Sequence, residues 1–327
     1  MKEKTKKYMI ATGTAAGTGA IAAGAAYLTT KILVKTALDR QEPAIMKIAG
    51  DHISGALIDP EIRRRIETAE EKLLSVDMES VTITASDGTE LAGHWYARPG
   101  AKRVVLGMHG WRSSWNRDFG IISDFMFDND CAVLFAEQRG QNNSGGEYMG
   151  FGLKECYDCL DWVNWINART DKSLPVYLCG ISMGATTVLM AAGLDLPDNV
   201  RGIISDCGFT SPEEIWRHVA NDNLHISYRL RKSLIESMYS RRLQINADEY
   251  STRDALSETK TPVLFIHGTD DHFVPVEMTF ENYKVCRAPR KLFVVPGADH
   301  GMSYLVDQAG YERAVKEFWQ EFDKGGR

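Results

Sequence analysis

The sequence predicts an α/β fold with a doubly wound, mostly parallel sheet, and three observations carry that expectation. Short apolar runs recur at Val81 to Ala85, Leu91 to Ala97, Arg103 to His109, Cys131 to Glu137, Val176 to Gly180, Gly202 to Asp206, Pro262 to His267 and Lys291 to Pro296. Helical segments separate the later runs, which implies crossover connections and strands buried on both faces. The run from Val176 passes into Gly180-Ile181-Ser182-Met183-Gly184 and restarts as a helix, a strand-turn-helix whose glycines let two backbones crowd around one serine.

The totals bound what such a fold is for. With 327 residues, 44% of them hydrophobic and 25% charged, the chain has room for one large domain with a sizeable core plus additions. A net charge of -6 leaves no basic surplus to neutralise phosphates, so no nucleic-acid partner is expected. Cys131, Cys179 and Cys207 sit in or beside apolar runs and read as buried small hydrophobes. Cys156-Tyr157-Asp158-Cys159 has a redox or half-zinc spacing, but it lies within a helical pattern and no second ligand pair follows. Neither a cofactor nor a metal is expected.

Taken in order, the chain begins with Lys2, Lys4, Lys6 and Lys7, an uncharged Ala/Gly/Thr-rich stretch from Tyr8 to Thr30, and Ile32-Leu33-Val34 between two lysines. Residues 1–35 are read as an N-terminal signal anchor, a single membrane-anchor helix, with a cleaved signal peptide as the alternative. The lysines favour the cytoplasmic side, which puts the catalytic domain of a cell-membrane protein outside the cytoplasm. Residues 36–78 are read as a helical connector, with Asp59 as N-cap and Pro60 at the first helical position.

The first two strands are joined by Asp87-Gly88 as a hairpin. In the last helix Tyr311, Val315, Phe318, Trp319 and Phe322 form one apolar stripe aimed at a sheet. About fifty residues separate Asp206 from Pro262, longer than a usual crossover, and 210–257 is read as a helical cap insertion over the strand ends; the plainer reading is a long connection.

A serine hydroxyl is a poor nucleophile until a base takes its proton, and the base needs a third group to fix its tautomer. His267-Gly268-Thr269-Asp270-Asp271-His272-Phe273-Val274-Pro275 supplies acids after one buried strand, and Pro296-Gly297-Ala298-Asp299-His300-Gly301 supplies a histidine after the next. The order Ser182, Asp271, His300 is the order expected on a doubly wound hydrolase sheet. His272 is a rival base and Asp206 a rival acid, while His109 and His267, beside glycines at strand ends, read as structural.

With these motifs in sequence, residues 79–324 resemble the α/β-hydrolase superfamily, and within it the membrane-associated bacterial serine hydrolases akin to serine aminopeptidases and monoacylglycerol lipases. The resemblance implies an α/β-hydrolase domain with Ser182 as nucleophile. The family's H-G-x-x-D-x-x-V-P pattern implies Asp271, not Asp270, as the acid, and its G-x-x-H pattern implies His300 as the base. Met108-His109-Gly110-Trp111 matches the oxyanion strand end, which implies the amides of Trp111 and Met183 as the oxyanion hole. Trp111 also reads as a ring packed under the cap. Glu137 to Gly146 resembles the family's D-x-R-G-x-G-x-S loop with two departures, Glu137 for Asp and Asn142 for Gly, and asparagine tolerates the left-handed backbone that glycine would adopt.

The resemblance makes cleavage of small-molecule carboxylic esters through an acyl-enzyme the expected activity. Peptide or amide cleavage of the serine aminopeptidase type, or a non-catalytic hydrolase-like binding role, are the alternatives.

Overall fold

The apolar runs become the strands of one sheet because each buries side chains on both of its faces. The computed structural model describes residues 23–41 and 59–323. The strands are β1 (Glu79–Thr84), β2 (Glu90–Tyr96), β3 (Arg103–Met108), β4 (Cys131–Ala136), β5 (Val176–Ile181), β6 (Val200–Asp206), β7 (Val263–Gly268) and β8 (Arg290–Val295). Within β5, Val176 and Leu178 enter the core on one side of the sheet, and Tyr177 and Cys179 enter the core on the other. Such strands read as continuous apolar runs, as a sheet covered on both faces requires.

The strands lie in the order β1-β2-β4-β3-β5-β6-β7-β8. β1, β2 and β4 pair antiparallel, and every pair from β4 to β8 is parallel. Gly88 turns the β1–β2 hairpin with a φ of 87°, and Asp87 accepts the Thr89 amide. From β3 the chain moves outward to β4 and then returns to place β5 on β3's other flank. This reversal leaves a crevice at the carboxyl ends of β3 and β5, where ligands of open α/β sheets bind. Trp111 and Ser182 follow those two strand ends.

Helices cover both faces. α1 spans residues 23–38, and α2 (Pro60–Leu74) starts from Asp59, whose side chain accepts the Glu61 amide. α3 (Trp115–Asp128) packs Phe119, Ile122 and Phe125 on one face of the sheet. α4 (Glu155–Thr170) and α5 (Met183–Ala191) pack on the other, with Trp162, Val163 and Val188 in that core. α6 (Pro212–His218), a π-helical turn at Val219–Asn223, α7 (Lys232–Leu243) and α8 (Thr252–Glu258) make up most of the expected cap span. α9 (Val276–Val285) precedes β8; α10 (Ser303–Val306) and α11 (Gln308–Phe322) close the chain. The stripe Tyr311, Val315, Phe318, Trp319 and Phe322 on α11 is buried, as its spacing predicts.

The N-terminal region carries the main departure from expectation. Residues 1–22, most of the expected anchor, lie outside the described residues, as does 42–58 of the connector. The described remainder of the anchor, 23–35, belongs to α1, and the border expected at residue 35 falls inside that helix. Thr30, Val34, Thr36 and Leu38 of α1 are buried, Val34 and Leu38 in the same core as α4 and α5. No described helix is long and apolar enough to cross a membrane. The six cysteines are free and buried, and Cys156 and Cys159 face the core from α4.

Candidate active site

The serine turn is built by two close approaches. A Cβ on Gly184 would stand 1.9 Å from the Met108 carbonyl oxygen, and one on Gly180 would stand 2.2 Å from the Gly184 carbonyl oxygen. Only glycine fits either place. Ser182 between them sits at φ 56° and ψ -116°, a sparsely populated conformation fixed in part by its amide donating to the Asp206 carbonyl at 2.9 Å.

Ser182, Asp271 and His300 come together from three separate strand ends. Ser182 Oγ lies 2.8 Å from His300 Nε2, and His300 Nδ1 lies 2.7 Å from Asp271 Oδ2. A carboxylate at Nδ1 requires the proton there, which leaves the Nε2 lone pair facing the hydroxyl. Asp271 also accepts the amides of Phe273 at 2.9 Å and Val274 at 2.8 Å. Burial raises the Asp271 carboxyl, but hydrogen bonds from His267 and His300 outweigh it and hold the group well below the usual carboxylate range. For His300, burial favours the neutral ring, while the neighbouring Cys207 and the Asp271 carboxylate outweigh it and hold the proton above the ordinary histidine range.

The rivals fall elsewhere. Asp270 is exposed and accepts from its neighbour Thr269. His272 meets the π-helical turn through its carbonyl, which accepts Asn223 Nδ2 at 3.0 Å. Asp206 is buried, accepts from Ser303 Oγ, and is pushed up to about 6 by burial.

On the oxyanion side, Met183 opens α5, where a first-turn amide has no partner within its helix. Gly110 lies against Ser182, since a Cβ built on it would stand 3.4 Å from Ser182 Cβ. This brings the Gly110–Trp111 peptide beside Ser182. The Trp111 ring also packs, 6.3 Å from Phe151, which in turn meets Trp216 of α6 at 5.3 Å.

Three supporting residues carry more than the sequence reading gave them. His267 Nε2 faces two acceptors, Asp271 Oδ2 at 3.0 Å and the Val274 carbonyl at 2.9 Å, so it donates there while Nδ1 accepts from Thr279. This gives Asp271 Oδ2 a second donor beside His300, while the Phe273 and Val274 amides hold Oδ1. Asp118 accepts the Gly110 amide at 2.7 Å and the Ser113 hydroxyl, which fixes the turn after β3. Its only local signal is an acid in the first turn of α3. Arg112, next to Trp111, donates to the Thr36 and Asp39 carbonyls at the end of α1, while the Trp111 indole donates to the Ala37 carbonyl at 2.9 Å.

His109 is structural, as expected. Its Nε2 accepts the Gln138 amide, its Nδ1 donates to the Gly110 carbonyl, and burial pushes its pKa down, so the ring is neutral. In the loop after β4, Asn142 takes φ 47°, the conformation expected where the family pattern has glycine. Arg139 reaches from that loop to Asp158 and Asp87.

A family model described as "Prolyl oligopeptidase family" matches residues 118–325. The uncharacterized protein YqkD of Bacillus subtilis is 26% identical over 252 residues, 76% of this chain and 81% of that protein. The uncharacterized protein YfhR of Escherichia coli K12 is 25% identical over 229 residues, 68% of this chain and 73% of its own length. Among solved structures, an esterase of Pyrococcus furiosus superposes with a TM-score of 0.63 at 23% identity, covering 77% of this chain and 94% of its own. An acylaminoacyl peptidase of Pyrococcus horikoshii gives 0.56 at 17% identity, covering 79% of this chain and 44% of its own. At these identities the structures establish a shared fold.

Proposed function

The chain belongs to the prolyl oligopeptidase family and is a serine hydrolase of the α/β-hydrolase superfamily, and from that premise we propose that it cleaves carboxylic esters through a Ser182–His300–Asp271 triad. The observation that carries this reading is the unbroken path from Ser182 Oγ to His300 Nε2 at 2.8 Å and from His300 Nδ1 to Asp271 Oδ2 at 2.7 Å. Ser182 Oγ attacks the carbonyl carbon as His300 Nε2 takes its proton. The amides of Trp111 and Met183 hold the oxyanion, a contribution of about 3 kcal/mol per donor in enzymes where one was removed. Collapse expels the alcohol, which receives the proton from His300, and leaves an acyl-enzyme on Ser182. Water then repeats the two proton transfers and releases the acid. Asp271 keeps the proton on Nδ1 and stabilises the imidazolium that forms twice per cycle.

The match to the P. furiosus esterase runs over nearly that whole chain, whereas the match to the acylaminoacyl peptidase covers 44% of it, which favours esters. The family name favours the second reading, peptide or aminoacyl amide cleavage by the same residues. A panel of p-nitrophenyl esters beside aminoacyl p-nitroanilides separates the two: esters react faster under our reading, and a preference for anilides reverses it. A fluorophosphonate probe tests the triad itself, with an adduct on Ser182 expected. A folded protein that stays unlabelled would instead be a non-catalytic binding domain. The lysine-bearing leader is assigned as a membrane attachment, with the hydrolase on the extracytoplasmic side.

A further inference from the structure

One nucleophilic side chain beside the triad has no part in the proton transfers. Cys207 follows β6 in the left-handed region at φ 50°, is 1% exposed, and belongs to no disulfide. Its Sγ, a carboxylate oxygen of Asp271 and a ring nitrogen of His300 lie within 4.8 Å of one another. Thiolate, imidazole and carboxylate are the three donor types that hold zinc. Around a tetrahedral Zn²⁺, bonds of about 2.0–2.3 Å place neighbouring donors roughly 3.5 Å apart, which lies within the 4.8 Å that bounds these separations. His300 Nδ1 and Asp271 Oδ2, 2.7 Å apart, part by about 0.8 Å if the ion enters between them.

We propose that Cys207, Asp271 and His300 form an inhibitory site for a thiophilic divalent cation such as Zn²⁺, which switches the hydrolase off by capturing its base. The inference rests on the triad reading of His300. Entry is from the active-site side, where the His300 side chain is 25% exposed. The proton balance is simple. The Cys207 thiol gives up its proton to solvent as the S–Zn bond forms. Asp271 ligates as the carboxylate and His300 as the neutral ring, which releases to solvent the second proton that its surroundings favour. If the ion takes Nδ1, the ring proton moves to Nε2 and faces Ser182 Oγ, so the ring has no lone pair for the hydroxyl proton. If the ion takes Nε2, it occupies that lone pair directly. Either geometry stops attack while leaving the fold intact.

The test titrates full-length protein with Zn²⁺ during p-nitrophenyl acetate hydrolysis. Wild type is expected to lose at least 10-fold in rate at micromolar Zn²⁺ and to recover with EDTA. Cys207→Ala, measured against its own metal-free rate, is expected to need at least 10-fold more Zn²⁺ than wild type for the same fractional loss. Cys207→Ser serves where the alanine variant does not fold. Co²⁺ alone gives a readout independent of activity, a thiolate-to-cobalt charge-transfer band present in wild type and absent from the Cys207 variants. Insensitivity of wild type to Zn²⁺, equal inhibition of wild type and Cys207→Ala, or a Co²⁺ spectrum without the thiolate band overturns the site. Ser182→Ala separates the two claims: full activity in that variant ends the triad reading, while the Co²⁺ band still judges the metal site.

Discussion

Two buried aspartates end strands near Ser182, and only Asp271 reaches the imidazole, at 2.7 Å. Asp271→Asn should therefore lower kcat by about 10⁴-fold, because the asparagine favours the wrong histidine tautomer. Asp206→Asn should leave kcat within about 10-fold; a severe Asp206→Asn beside a mild Asp271→Asn would reverse the assignment of the acid. Asp206 also makes a stability prediction. Its carboxyl is raised from 3.8 to about 6 in the fold, so its favourable contribution is complete below the unfolded value and is lost as pH rises through about 6. Asp206→Asn should raise Tm at pH 8 relative to wild type, and the gain should shrink towards pH 4. For His300 the raised pKa places the acid limb of kcat/KM above the ordinary histidine value of 6.5, since the protonated ring cannot accept from Ser182. A limb at or below 6.5 in the measured pH–rate profile contradicts that environment.

At the scale of elements, α1 braces the turn after β3, where the proposed oxyanion amide of Trp111 lies. The Trp111 indole and the Arg112 guanidinium both bind carbonyls at its carboxyl end, and Arg242 of α7 pairs with Asp39 just beyond it. Trp111→Phe keeps the backbone amide and most of the ring while removing the indole N–H. One net hydrogen bond of about 1 kcal/mol, expressed in the transition state, lowers kcat roughly 5-fold with KM little changed. A lower Tm with unchanged kcat would make α1 a packing element only. The segment between β6 and β7 is tied to the site on a second side, through Asn223 of the π-helical turn and the His272 carbonyl beside Asp271. This arrangement connects that segment's position to the loop that carries Asp271.

For the whole molecule, α1 from Thr30 onward packs on the globular core, so the proposed membrane attachment is tested on the residues that precede it. Full-length protein should sediment with membranes, and a chain starting near residue 23 should remain in the supernatant; equal partition of the two would remove the attachment. The sequence by itself determined the sheet and the order in which Ser182, Asp271 and His300 follow its strands. Burial on both faces writes itself into local runs of apolar residues, and the glycines around Ser182 answer to contacts only a few residues long. It left open which residues brace that site. Ala, Gly and Thr in the N-terminal stretch carry the same pattern whether they meet lipid or protein, and the partners of α1, among them Trp111 and Arg242, lie far along the chain. Cys207, Asp118 and His267 likewise gain their roles from neighbours that the strand order brings together. Periodicity states that a face is buried, but what it is buried against is set by long-range packing, and only the tertiary structure decides that.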